Sequence, residues 1–277
     1  MRRTMRGVLG ATSMLGGALL ATPAQAQALG DDFYLQLSGY WATGVDSDVR
    51  ITPASNPNGG TEIDLEEDLN LDSNEILPAI YGMARLGGGF SISAEYYSVG
   101  RSSSTTLARD IVYNDVTYPA NATITAGFNT DIYRLGLGWA FVRNENVELG
   151  AVIGLHATNL EFSIEGQGRI GAQPLSTQNR RTEFLAPLPT IGLFANWQIA
   201  HNLTLNARAD YLSLKVGDYK GRLINFQTSL AWRFAGNFGA GIAFRYVDYR
   251  VDVAKENYVG RLDYQFLGPS IFLEVGF

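Results

Sequence analysis

Arg222–Phe234 reads RLINFQTSLAWRF. Its even positions are Ile224, Phe226, Thr228, Leu230, Trp232 and Phe234. Its odd positions are Leu223, Asn225, Gln227, Ser229, Ala231 and Arg233. One face is greasy and aromatic and the other is mostly small or polar. A period of two with unlike faces is the signature of a β-strand lying between two different environments.

The pattern recurs outward from this stretch. Leu203, Leu205, Ala207, Ala209 and Tyr211 alternate with Thr204, Asn206, Arg208 and Asp210. Phe90, Ile92, Ala94 and Tyr96 alternate with Ser91, Ser93, Glu95 and Tyr97. The segments so read are Phe33–Thr43, Glu75–Leu86, Gly89–Ala108, Thr123–Val142, Val147–Ile164, Glu183–Ile199, Leu203–Lys215, Gly221–Phe234, Phe238–Val253 and Gly260–Phe277. Links at Gly87-Gly88, Arg143–Asn146, Ala200–Asn202 and Ala235–Asn237 are very short. Those at Gly44–Asn74, Arg109–Ala122, Glu165–Thr182, Val216–Lys220 and Ala254–Val259 are mostly longer. Short turns on one side and longer loops on the other predict an all-β, antiparallel, up-and-down transmembrane β-barrel. The expected count is ten strands, with eight or twelve if long segments split or merge. An even count places both termini on the short-turn, periplasmic side.

The N-terminus fits that reading. Arg2, Arg3 and Arg6 precede an uncharged small and apolar stretch, Gly7–Leu20, and Ala24-Gln25-Ala26 is an A-x-A cleavage site. Residues 1–26 are expected to be a secretory signal peptide and 27–277 the barrel domain. No apolar run near 18 residues follows, which excludes a helical membrane protein. Lys+Arg is 21 and Asp+Glu 27. Removing the three signal arginines leaves 18 − 27 = −9, a poor match for nucleic-acid binding. With no Cys, disulfide scaffolds, Cys-ligated zinc and thiol chemistry are excluded. No cofactor is expected.

Aromatic residues sort by strand end. Trp139, Phe141, Trp197, Trp232 and Phe234 fall beside short turns and are expected to form a periplasmic girdle. Ile271, Leu273, Val275 and Phe277 form the apolar face of the last strand. A terminal Phe there resembles the signal read by the outer-membrane barrel assembly machinery. The alternation changes phase across Gly268-Pro269 and again near Tyr246-Val247, which predicts a bulge at each.

Four groups of residues carry a family resemblance. They are Ile63-Asp64-Leu65-Glu66-Glu67-Asp68-Leu69, Ala186-Pro187-Leu188-Pro189, Gly217-Asp218-Tyr219, and Asp263-Tyr264 with Gly268-Pro269. With them the chain resembles small outer-membrane β-barrel families of Gram-negative bacteria to which no activity is attached. The resemblance implies an outer-membrane location. Its implied partners are lipids including lipopolysaccharide and, during biogenesis, the assembly machinery and periplasmic chaperones.

The polar strand faces predict a lumen lined by Glu95, Arg134, Glu148, His156, Arg208, Asp210, Arg233 and Arg245, with Gln36, Asn225, Gln227 and Glu274 alongside. Both charge signs are present, which favours a packed polar core over a pore. The acidic link Gly44–Asn74 holds Asp46, Asp48, Glu62, Asp64, Glu66, Glu67, Asp68 and Asp72 against Arg50. Its readings are a solvated acidic loop or a divalent-cation site, and Asp64–Leu69 is expected to make one amphipathic turn over the barrel mouth. G-x-S-x-G and H-E-x-x-H are absent. His201 is a turn residue, and His156 is the single wall histidine on which a membrane-embedded hydrolase would depend. The expected role is a non-enzymatic barrel acting structurally or through surface loops. A narrow diffusion channel and a His156 hydrolase are the alternatives.

Overall fold

The computed structural model describes residues 28–277 apart from residue 58. The signal peptide expected at residues 1–26 lies outside the described residues. After a short 3-10 turn, Ala28–Gly30, thirteen strands follow. They are β1 (Phe33–Pro53), β2 (Ile63–Asp64), β3 (Glu75–Gly87), β4 (Phe90–Thr106), β5 (Ile111–Tyr113), β6 (Val116–Tyr118) and β7 (Thr123–Arg143). Then come β8 (Val147–Ile170), β9 (Ser176–Ala200), β10 (Leu203–Val216), β11 (Tyr219–Ala235), β12 (Phe238–Ala254) and β13 (Tyr258–Gly276). Ten of them close a ring in the order β1, β3, β4, β7, β8, β9, β10, β11, β12, β13 and back to β1, every pair antiparallel. Closure leaves no unpaired edge, the condition for crossing lipid with strands.

Four short turns define one end, here the turn end. Both described ends of the chain meet there: Phe277 N–H donates to the Phe33 carbonyl at 2.8 Å, and Asp32 N–H to the Phe277 carbonyl at 2.7 Å. Above it runs an apolar belt. On β11 the outward residues Ile224, Phe226, Trp232 and Phe234 are exposed, and on β13 Leu267, Ile271, Leu273 and Phe277 are. Each stretch covers eleven residues, about 36 Å along a strand, and a tilt near 45° reduces that to a band of about 25 Å. Trp139, Phe141, Trp197, Trp232 and Phe234 lie outward at the turn-end margin of this band, each between 50% and 53% exposed.

Beyond the belt the wall continues, and its polarity inverts. β13 alternates strictly between buried and accessible positions from Gly260 to Gly276. In the belt its inward residues are Gly268, Ser270 and Glu274, with one Phe272. Beyond the belt they are Leu262, Tyr264 and Phe266, all buried. The outward residues there become Arg261, Asp263 and Gln265. β12 does the same, with Val247, Tyr249, Val251 and Val253 buried inside.

That inversion corrects the two predicted bulges. The β12–β13 ladder runs without a shift from Phe238↔Val275 to Ala254↔Val259, through both positions. The hydrophobic phase slips because the inside and outside media exchange character, while the backbone phase holds. The irregularity falls instead on β1, between Thr43 and Asp46, where Gly44 has φ +58°. Gly268 faces that break; a Cβ there would sit 1.9 Å from the Trp41 carbonyl oxygen. Only Gly fits so close an approach, and Pro269 beside it gives up a ladder donor.

Strand ends shift for the same reason. β1 runs ten residues beyond Thr43, and the link read at Glu165–Thr182 shrinks to residues 171–175. Gly217-Asp218 alone joins β10 to β11, and residues 255–257 join β12 to β13. Two long links remain at this loop end, 54–74 and 107–122.

Candidate functional site

The lumen holds the chain's buried polar chemistry, in tiers. Nearest the turn end, Arg85 donates to Glu148 (Nη1–Oε1 2.5 Å, Nη2–Oε2 3.1 Å), and Asn196 Nδ2 donates to the same carboxylate at 2.9 Å. Beside it Arg233 donates to Glu274 Oε1 at 2.8 Å and to Asp31 Oδ2 at 2.5 Å. The segment before β1 is thus drawn into the barrel, with Leu29 buried.

The next tier sits near mid-belt. Arg134 pairs with both Glu95 and Asp210. Arg245 pairs with Glu95 and donates to Gln227 Oε1 at 2.5 Å. Arg208 Nη2 lies 2.9 Å from Asp210 Oδ1, and Asn225 Nδ2 donates to Asp210 Oδ2 at 3.0 Å. The Arg245 guanidinium is clamped between Tyr40 and Tyr97, 4.5 and 5.1 Å from their ring centroids. Every charge has an opposite partner, which is what burial of charge requires. Between the tiers lies a polar cavity of about 130 Å³ lined by Tyr34, Gln36, Tyr81, Ser93, Asn206 and Arg208 among others.

Alternation locates these residues because polar side chains of a belt strand turn away from lipid. Glu95, Arg134, Glu148, His156, Asp210, Arg233 and Arg245 are buried, and Arg208 faces the cavity. Two further buried arginines escape the sequence reading, Arg85 in the lumen tiers and Arg101 above them in the loop end. The signal was present: both fall on the inward phase of their strands, two and four residues from Met83 and Tyr97.

Above the charge tiers the lumen is packed with apolar side chains. Link 54–74 folds inward rather than standing in solvent. Asp68 N–H bonds the Asp64 carbonyl at 3.0 Å, closing the expected turn, and Ile63, Leu65, Leu69 and Leu71 are buried. The hairpin β5–β6 adds Ile111, Tyr113, Val116 and Tyr118, also buried. Tyr113 OH donates to Thr182 Oγ1 at 2.7 Å and Tyr118 OH to the Ile164 carbonyl at 3.1 Å. Burial pushes the Tyr118 phenol up to about 12. These side chains join Val49, Ile51, Phe128, Leu160, Phe162, Ile164 and Phe184 in one apolar core that fills the loop end.

Three of the acidic link's carboxylates, Asp64, Glu66 and Asp68, are engaged within this cap. Arg101, buried over the Phe128 ring at 5.0 Å, pairs with Glu66 and donates to Ser47 Oγ at 2.6 Å. Arg109 pairs with Asp68, and Asp64 Oδ1 accepts the Glu66 and Glu67 amides at 2.9 and 2.7 Å. Among the described residues no carboxylate cluster is arranged to hold a metal ion.

His156 lies just below the cap, 5.6 Å from the Tyr249 ring and enclosed with Thr130, Thr158 and Tyr264 around a space of about 10 Å³. Its Nδ1 has no protein partner. His201 is exposed in the β9–β10 turn, where its carbonyl accepts Gln198 Nε2 at 2.6 Å.

No protein-family model and no curated protein matches the sequence. Solved structures do. The outer membrane protease OmpT from Escherichia coli superimposes with a TM-score of 0.55 at 12% identity, covering 90% of this chain and 98% of that one. The Pseudomonas putida toluene transporter TodX gives 0.36 at 8% identity, covering 95% and 94%. Ail, the attachment invasion locus protein of Yersinia pestis, gives 0.30 at 10% identity, covering 87% and 99%. At 12% identity the likeness to OmpT is one of fold. A closed ten-strand ring, a lipid-facing apolar belt and that superposition together make this chain an outer-membrane-type β-barrel.

Proposed function

We propose that the protein is a non-enzymatic integral outer-membrane barrel that does not conduct and acts through the surface of its loop end. The observation that carries this reading is the cap: Leu65, Leu69, Ile111 and Val116 are wholly buried across the lumen. In this reading the loop end faces outward from the cell and both chain ends face the periplasm. Lipids including lipopolysaccharide surround the belt. Export by residues 1–26 and delivery by periplasmic chaperones to the assembly machinery, with Ile271, Leu273, Val275 and Phe277 as the signal, belong to the same proposal.

Planar-bilayer recording tests it. The wild type is expected to stay silent, whereas Leu65→Asp/Leu69→Asp, which puts two carboxylates into the apolar seal, should open stepwise conductance. The 130 Å³ polar cavity favours one second reading, a narrow diffusion path gated by the cap. Stepwise opening of the wild type would decide for that path. The enclosure of His156 weighs against hydrolysis, because a catalytic imidazole must reach its substrate.

A further inference from the structure

The chain has three lysines, Lys215, Lys220 and Lys255. All lie at the loop end, on the adjacent hairpins β10–β11 and β12–β13. Their electrostatic situation differs from that of the arginines. Of the fifteen described arginines, fourteen have a carboxylate within 4.0 Å; among the described residues none of the lysines does.

Lys215 and Lys220 stand directly opposite each other in the ladder, both outward and exposed. A like-charge pair in that position is destabilising on its own. Among the described residues no carboxylate comes within 4.0 Å of either ammonium. Asp252 sits opposite Lys220, but its Oδ1 accepts Arg261 Nε at 2.7 Å. Asp248, beneath, is bonded by Arg222. Asp218 in the turn and Glu256 beside Lys255 bridge to neither lysine of the pair. Lys255 Nζ rests over the Tyr219 ring at 5.8 Å.

Height is the second observation. The register pair Tyr211↔Ile224 marks the top of the apolar belt on these strands, with both side chains exposed. Lys215 lies four residues further, about 13 Å along the strand and about 10 Å higher for a tilt near 40°. The polar headgroup layer begins about 5 Å below that height, within reach of a lysine's four-carbon stem. An ammonium is a compact, strongly hydrated charge suited to phosphate.

We infer that Lys215 and Lys220, with Lys255 at the margin, form a docking site for the phosphate groups of an outer-leaflet lipid, lipopolysaccharide being the source. The site rests on the outward orientation of the loop end proposed above.

Purified, folded barrel is acylated with an amine reagent in detergent alone, with lipopolysaccharide, with lipid A stripped of phosphate, and with inorganic phosphate. Lysine-resolved mass spectrometry reads the rates. Lipopolysaccharide is expected to slow acylation of Lys215 and Lys220 at least about fivefold, the other additions leaving the rates unchanged. Lys215→Gln/Lys220→Gln should weaken lipopolysaccharide binding by about fivefold for each lysine removed. Equal protection by phosphate-free lipid A or by inorganic phosphate would overturn the site, as would wild-type binding by the double variant. An epitope inserted at residues 171–175 and probed on intact cells reads the orientation separately. An inaccessible epitope overturns the orientation and the site together; an accessible one without lipopolysaccharide protection overturns the site alone.

Discussion

The belt half and the loop-end half of this barrel share ten strands and opposite chemistry. In the belt the outside is Leu, Ile, Phe and Trp and the inside is Arg, Glu and Asp. Beyond it the outside carries the pairs Arg222–Asp248, Arg250–Asp263 and Arg261–Asp252, and the inside is Val, Leu, Tyr and Phe. A backbone ladder is indifferent to which face is wet. What decides the side chain is the medium on each side, lipid against a packed polar lumen in one half and water against an apolar core in the other.

The two halves should therefore answer the same kind of mutation differently. The largest contrast is expected between two arginines. Arg245→Ala strips Glu95 of a buried partner and empties the Tyr40–Tyr97 clamp, a loss of about 3–5 kcal/mol. Arg250→Ala removes an exposed pair with Asp263, worth about 1 kcal/mol or less. Denaturant unfolding of the barrel in lipid vesicles measures both, and equal losses would break the comparison.

A charge placed outward sharpens it further. Leu273→Arg sets a cation against lipid and should cost about 2–4 kcal/mol. Gln265→Arg, outward on the same strand beyond the belt, should change stability by no more than about 0.5 kcal/mol. A large penalty at Gln265 would mean that the belt reaches higher than the exposed apolar residues mark.

The smallest effect concerns Asp48, which stands opposite Asp263 on one side and Asp64 on the other. Burial, then Asp46, Asp64, Glu62 and Asp263, raise its carboxyl to about 6. The folded chain holds this proton to about pH 6, while an unfolded Asp releases it near 3.8. The fold thus binds more protons between those values, and this contribution to stability falls as pH rises across them. Asp48→Asn should stabilise the protein above pH 6 by about 0.5 kcal/mol, the scale of a like-charge cross-strand pair. It should do nothing near pH 4. Melting curves at the two pH values check it, and a gain at pH 4 would contradict the like-charge account.

The comparison also explains what was legible beforehand. Arg222–Phe234 announces its strand because it lies within the belt, where one face must meet lipid. Glu95, Arg134, Asp210 and Arg245 followed from the same alternation. The cap did not. Its acidic link reads as a solvated loop or a cation site because Glu66 and Asp68 are charged, yet Arg101 and Arg109 reach these two from a strand and a link far along the chain. Nothing local distinguishes a carboxylate awaiting a distant guanidinium from one awaiting water.

By itself, then, the sequence determined an up-and-down barrel of eight, ten or twelve strands with ten expected, the lipid-facing side of each belt strand and the polar character of the lumen. Those depend on a period of two and on turn residues, which are local properties. Only the tertiary structure decided that Tyr246-Val247 and Gly268-Pro269 mark a change of medium without a bulge, and that Leu65, Leu69 and the β5–β6 hairpin pack into one apolar core at the mouth. Those outcomes depend on which segments meet across the barrel axis. Pairing across that axis is set by closure of the whole ring, which no window along the chain contains.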